Sequence, residues 1–442
     1  MRSIKKLLLV IVVAPLLLYG IVKLYLNYQL NEFMGQLAAR GKPFVTIKHG
    51  GVSTSLSGEA SIHELEFYIT GTDDVVRVEQ VTYNTPNIWY LLRDLGQVDN
   101  NKAPESLHLT LTGLSMDLYG DLTDKMEDTI NSLNLDLTGV NKLCGGRLFM
   151  GPREYRDMGY EEIIIDGDIG YDVDDITEEI AINMDLTFRN MGSYRLSTLV
   201  SGFNGSPFAA SVPHPHNPSV GAFKITYTDQ SYAKRFVKFC SGLSNMSEAD
   251  FIAAEANQSP AYFANLVGFV PGSGLRATYK ELLSNPGKIE VVMEWPEGVE
   301  PKNLHLYKPE DIPRLLNLTV AVNDKPVDDL SFSFYDGKTV DVGRHFSNIM
   351  GSDGKPKPVV AKKQRRSKPK YYPVTPSSLK KYVGEDVRLQ VKGNVSRDGR
   401  LINVKGKTAY VRKRLSGGNY TMQVALSQIK KAEVFLTRPP KE

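Results

Sequence analysis

Seven carboxylates fall within the fourteen residues DGDIGYDVDDITEE: Asp166, Asp168, Asp172, Asp174, Asp175, Glu178 and Glu179. A hard cation such as calcium takes about six to eight oxygen ligands from a flexible loop, and Asp166, Asp168 and Asp172 are the candidates for such a site. The spacing departs from an EF-hand, because position twelve counted from Asp166 is Thr177. The segment reads more simply as a solvated turn between strand-like runs. His214 and His216, in VPHPHNP, are the one close pair of histidines. An i, i+2 pair can face one metal, yet no Asp, Glu or Cys stands nearby in sequence to complete a tetrahedral set. No Walker A, H-E-x-x-H, G-x-S-x-G or G-x-G-x-x-G pattern is present. The sequence therefore calls for no cofactor and leans away from an enzyme.

The chain has two cysteines, Cys144 in LCGG and Cys240 in KFCSG. Neither belongs to a C-x-x-C pair, so zinc and dithiol chemistry lack their usual sequence support. They are candidates for a disulfide closing a loop of about 96 residues, worth about 4 kcal/mol in the chain-entropy model; two buried thiols are the alternative.

The remaining chemistry is electrostatic. The 442 residues carry 53 Lys+Arg and 50 Asp+Glu, a formal charge of +3. Residues 355–442 hold 23 basic and 5 acidic residues, leaving 30 against 45 for residues 1–354. An acidic body is thus joined to a basic tail. Lys362, Lys363, Arg365, Arg366, Arg412, Lys413, Arg414, Lys430 and Lys431 are the candidate contacts to an anionic surface. Expected partners are anionic lipid, lipopolysaccharide, a cell-wall polymer or the protein's own acidic body. Nucleic acid is disfavoured.

Elements must position these groups. Leu7–Leu26 is interrupted by a single charge, Lys23, and twenty residues at about 1.5 Å each reach about 30 Å, a bilayer core. With Arg2, Lys5 and Lys6 ahead of it, residues 1–40 are expected to form a transmembrane anchor and juxtamembrane helix, N-terminus in the cytoplasm and the rest outside. Residues 41–345 form the acidic body. Period-two alternation at Leu107–Leu111, Leu114–Leu118, Leu133–Leu137, Ile180–Phe188, Ile289–Trp295, Leu318–Val322 and Leu330–Phe334 predicts antiparallel sheet, with Gly113, Gly120 and Gly139 as turns. A helical insert is expected near 247–284, N-capped by Ser247. The apolar face of such a sheet either fills a sandwich core, the default, or is left as a trough for lipid chains.

Residues 346–370, rich in Pro and Lys/Arg, read as an extended linker. Residues 371–442 carry five short strand runs with a core on Val387, Leu389, Val391, Leu401, Val404, Val411, Met422, Val424, Leu426, Ile429 and Val434. The fold class is therefore mainly β with a helical insert: an N-terminal transmembrane helix, an antiparallel β-rich body and a small C-terminal barrel.

Two resemblances follow. Leu379–Phe435, with YVG, VRLQVK, a D-G turn, GRLINV and YTMQVALSQIKKAEV, resembles the SH3-like or Sm-like small β-barrel. The turn Ser427-Gln428 stands where Sm-like proteins place RNA-binding residues, so RNA binding does not carry over. The layout, with its apolar span, the stretch HGGVSTSLSGEASIHELEF and many amphipathic strands, resembles AsmA-like and YdgA-like bacterial envelope proteins. That resemblance implies a bacterial inner-membrane location, a periplasmic body, and a non-enzymatic binding or scaffolding role, lipid-related in the AsmA-like members. The rival reading is a cytosol-facing anchored protein whose barrel binds nucleic acid, and a third is an unrecognised hydrolase or metal enzyme.

Overall fold

A computed structural model of the chain describes residues 2–97, 106–201, 219–339 and 370–436, except positions 43, 56, 71, 73, 86, 138, 175, 297–298, 300–303, 305, 393–394 and 416–417. For residues 2–18, 93–97, 219, 370, 414–415 and 418–419 it describes the backbone alone. The chain divides into two units, Met1–His345 and Phe346–Glu442.

The first unit begins with α1 (Arg2–Gly41). Leu26, Leu30 and Met34, spaced four apart, form its buried stripe. Leu26 and Leu30 pack with Ala60 and Leu91, and Met34 packs with Leu65 and Val78. Asn27 accepts a hydrogen bond from Thr54 Oγ1 at 2.9 Å. This arrangement corrects the expected transmembrane anchor. Among the described residues, no helix is long and apolar enough to cross a membrane. In the part of α1 whose side chains are described, Leu26, Leu30 and Met34 are spent on the protein's own strands and α2 (Ile88–Gln97), and Lys23, Asn27, Gln29, Asn31 and Glu32 keep the helix from continuing as an apolar run. The single-pass inner-membrane location, with a cytoplasmic N-terminus and a periplasmic body, loses its support with the anchor.

A twelve-stranded sheet follows. Its strands are β1 (Val45–Lys48), β2 (Gly51–Thr54), β3 (Glu59–Ile69), β4 (Val75–Asn84), β5 (Ser106–Asp117), β6 (Glu162–Asp174), β7 (Glu179–Phe188), β8 (Gly192–Ser201) and β9 (Ser219–Asp229). After the short β10 (Val270–Pro271) come β11 (Lys288–Glu294), β12 (Thr319–Val322) and β13 (Lys325–Pro326); β14 (Phe332–Ser333) pairs with β10 alone. The order is β1-β3-β4-β5-β6-β7-β8-β9-β11-β12-β13, with β2 also on β3, and each of these pairings is antiparallel.

Local expectations fail in instructive places. Gly113 does not turn the chain. It is a bulge inside β5, where the register to β6 shifts between Leu111 and Leu114. Its φ of +62° suits glycine, and its N–H donates to Asp166 Oδ1 at 2.8 Å. Leu133–Leu137 is not a strand either. Leu133 and Leu137, four apart and both buried, close the helix α3 (Asp121–Asp136), Leu137 as its C-cap, so the alternation there is a helical period sampled over too few residues.

The helices are α2 (Ile88–Gln97), α3 (Asp121–Asp136), α4 (Pro152–Asp157), α5 (Tyr232–Ser244), α6 (Glu248–Ala256), α7 (Pro260–Val267), α8 (Ser273–Ser284) and α9 (Ile312–Leu315). Ser247 caps α6, its hydroxyl accepting from Asp250 N at 3.1 Å. α5, α6 and α8 pack around Val237, Cys240, Phe251 and Leu283.

The second unit holds β15 (Lys370–Val374), β16 (Asp386–Val391), β17 (Ser396–Lys405), β18 (Thr408–Leu415), β19 (Gly418–Ala425) and β20 (Ile429–Leu436). Their order is β15-β20-β16-β17-β18-β19. A closed barrel is not found, which corrects the expected architecture. The sheet is a path with two ends: β15 bonds to β20 and β19 to β18, and no pairing joins them among the described residues. A 3-10 segment, Pro376–Tyr382, packs on β17 and β20 and sends Leu379 into the core beside Val387, Leu389, Leu401 and Val434. That plug, in place of a closing pair of strands, packs against the core between β17 and β20. Most of the expected linker, residues 346–369, lies outside the described residues.

If α1 is a core element, Leu30→Ala should lower stability by about 2–5 kcal/mol, while Leu24→Ala, 72% exposed on the same helix, should stay within about 0.5 kcal/mol. Urea unfolding of both variants without added lipid reads the difference.

Candidate functional site

Because side chains alternate along a strand, the register of β4–β12 fixes the composition of each sheet face. One row reads Tyr83, Leu109, Ile169, Met184, Leu196, Ile225, Val291 and Val320, each opposite the next. The neighbouring row on that face reads Leu111, Gly167, Leu186, Tyr194, Tyr227, Ile289 and Val322. The opposite face reads Thr82, Thr110, Asp168, Asp185, Arg195 and Thr226.

The apolar face is covered at its start. α1 packs on β1 and β2, α2 packs on β3, and Ile62, Val81 and Leu111 join Met34, Leu65 and Val78 in a cluster. Farther along, Ile169 is 42% and Tyr194 41% exposed, and Leu109, Met184, Leu196, Ile225 and Val291 are only half-buried. The Tyr194 and Tyr227 rings lie 4.8 Å apart, tilted by 38°, and the Tyr227 hydroxyl donates to Asp229 at 2.6 Å. A groove of about 450 Å³ crosses β5–β8 on the opposite, polar face: Thr110, Asp168, Asn183, Asp185 and Arg195 line it, with Leu109, Ile169, Met184 and Leu196 alternating between them.

The acidic candidates lie on the polar face of β6, not in a turn. Asp166 accepts from Arg189 Nε and Nη2 at 2.6 and 2.7 Å; this pairing holds its carboxyl below the usual range. Asp168 accepts from Thr110 Oγ1 at 2.7 Å. Asp172 accepts from Ser106 Oγ at 2.7 Å and lies 3.0 Å from His108 Nε2. Burial pushes Asp172 up, but those hydrogen bonds outweigh it and hold the group low. Each carboxylate is thus satisfied across the strands, and among the described residues no cluster of three or more His, Cys, Asp or Glu is arranged to hold a metal. His214 and His216 lie outside the described residues.

Ser106, His108 and Asp172 have the residue types of a catalytic triad without its order. The serine hydroxyl donates to the carboxylate, and the imidazole bonds to the same oxygen; a nucleophile relay needs the histidine between the other two.

The helical group holds buried polarity of a structural kind. Cys144 and Cys240 are joined by a disulfide within the α5–α6–α8 cluster. Glu255, fully buried, accepts from Tyr262 OH, from Gln258 Nε2 at 3.3 Å and from Tyr279 OH at 3.5 Å. Burial raises its carboxyl despite those bonds. A folded-state pKa above the unfolded value of about 4.3 means that ionisation is disfavoured in the fold. The cost is absent at acid pH, where both states are protonated, and grows as pH rises through and above the unfolded value. Glu255→Gln should therefore match the parent near pH 4 and become progressively the more stable by pH 7, as read from urea midpoints across that range.

In the second unit the expected basic contacts separate. Lys413 pairs with Asp398 at 2.9 Å and Lys431 with Glu433 at 2.7 Å. Arg412 is partnered as well. The side chain of Arg414, and all of Lys362, Lys363, Arg365 and Arg366, lie outside the described residues. Lys430 is exposed, with no ion pair among the described residues.

The apolar rows escape the sequence reading in part, since β6, β8 and β9 were not recognised as strands. The signal was present: Ile163, Ile165, Ile169, Tyr171 and Val173 alternate beneath the aspartates, and Tyr194, Leu196 and Val200 alternate in β8. No curated protein matches the chain. A sequence-family model described as an uncharacterized protein matches residues 185–323, from within β7 to just past β12.

Proposed function

We propose that the first unit is a binding protein, not an enzyme, and that it holds a long apolar chain of the kind carried by lipids on the uncovered face of β5–β9 and β11. The observation that carries this reading is the half-exposed row Leu109, Ile169, Met184, Leu196, Ile225 and Val291, continuous across six strands. Strands about 4.8 Å apart make that row about 24 Å long, the scale of an extended acyl group. A filled sandwich core would bury these residues as it buries Val320 and Val322 at the far end. Apolar surface left in water costs about 25 cal/mol per Å², so an apolar occupant is favoured wherever the row is open. The polar row behind it pairs Thr110 with Asp168 and Arg195 with Asp185 at 2.7 Å, so those charges are compensated within the sheet.

A fluorescent long-chain fatty-acid analogue titrated into the full chain should bind saturably. Ile169→Glu and Leu196→Glu should each weaken it by at least about tenfold, the scale of one misplaced charge, whereas Trp89→Ala, exposed on α2, should not. Absence of saturable binding, or equal binding by the glutamate variants, would sink the proposal.

A further inference from the structure

We propose that Lys392, Lys405, Lys407 and Lys430 of the second unit form a docking surface for an anionic phospholipid bilayer. The inference stands apart from the apolar-chain reading, since it rests on a different unit and a different interaction.

The four lysines come from three segments that one short turn gathers. A 3-10 turn, Leu426–Gln428, links β19 to β20. Its first residue is held to the β17–β18 hairpin, Leu426 N donating to Lys407 O at 2.8 Å. Its last residue is held to the end of β16, Lys392 N donating to Gln428 O at 3.0 Å. Lys405 and Lys407 flank Gly406 at the hairpin tip, where Lys405 pairs with Thr408. Lys430 follows the turn by two residues. A 3-10 segment rises about 2 Å per residue, so these backbones meet on the order of 10 Å apart, about one Debye length at 0.1 M salt.

All four side chains are exposed, and none has a carboxylate partner among the described residues. The described carboxylates of this unit are used elsewhere: Asp398 on Lys413, Glu433 on Lys431, and Asp386 near Arg400 at 3.9 Å; Glu385 is also partnered. Four uncompensated ammonium groups on backbones this close raise the local positive potential, and a dense array of negative charge neutralises it.

The side-chain chemistry selects the partner. Ammonium groups are compact point charges without the planar fork that reads base edges. Sequence-tolerant single-strand binders add aromatic stacking, and the three gathered segments carry no aromatic ring between Lys405 and Lys407, at Lys392, or from Leu426 to Lys430. A laterally fluid phosphate surface asks only for charge.

The test is co-sedimentation of the full chain with phosphatidylcholine vesicles, with and without phosphatidylserine. Binding is expected with phosphatidylserine alone and should fall as salt is raised. Each lysine near the surface contributes about fivefold, so the combined variant K392Q/K405Q/K407Q/K430Q should lose on the order of a thousandfold if the contributions add. The variant K362Q/K363Q/R365Q/R366Q removes the same charge from the basic segment before β15 and should lose less. Equal losses in the two variants would overturn the patch as the site. Equal binding to neutral vesicles would also overturn it, tracing association to apolar contact instead. Tighter, salt-sensitive binding to a single-stranded RNA than to the anionic vesicles would replace the bilayer as partner. All four positions are exposed, and unchanged urea midpoints would confirm that the variants fold.

Discussion

The register of the twelve-stranded antiparallel sheet is the constraint on which the first unit depends. A strand repeats every two residues, so a one-residue slip at any pairing would exchange the two faces of everything beyond it. The β5–β6 interface absorbs one irregularity without that exchange. At the Gly113 bulge the partners change from Leu111 opposite Gly167 to Leu114 opposite Ile165, and the apolar set resumes on its own face. Asp166, which receives the Gly113 N–H and the Arg189 guanidinium, pins the bulge in place. Within the densest acidic segment of the chain, Asp166, Asp168 and Asp172 therefore serve the sheet and are satisfied by strand neighbours before any cation is considered.

How much of this was legible follows from the length of each signal. The second unit was nearly transparent: Val387, Leu389, Leu401, Val411 and Val434, fully buried, stand at the alternating positions that the sequence offers. Leu379, although it opens the segment that resembles a small barrel, was not among the expected core positions, and β15 was not among the five expected strands: their surroundings are rich in Pro and Lys, and only tertiary contact makes them part of a core. In the first unit, clean alternation exposed β7, β11 and β12. β6 was masked by its own polar face, since one aspartate at every second position reads as a turn when the intervening isoleucines are not counted.

α1 shows the opposite failure. Composition over Leu7–Leu26 suggests a span, but composition does not say what a helix touches. The four-residue spacing of Leu26, Leu30 and Met34 carries the tertiary information, and those residues pack on strands and on α2. The candidate binding face was legible only in outline. The sequence announces a sheet with one apolar side, while whether that side is filled depends on where helices settle, and helices settle by contacts that no local window contains.

The Cys144–Cys240 disulfide joins the segment between α3 and α4 to α5 across 96 residues, and the chain between them contains all of β6, β7, β8 and β9. Much of the proposed binding face is therefore enclosed in a covalent ring. Tension applied through the two termini would pass from Cys144 to Cys240 through the sulfur bridge, and the strands inside the ring would carry none of it along their own backbone. Proteolytic cuts between β8 and β9 would likewise leave both fragments attached. The sheet's central strands are shielded mechanically as well as packed.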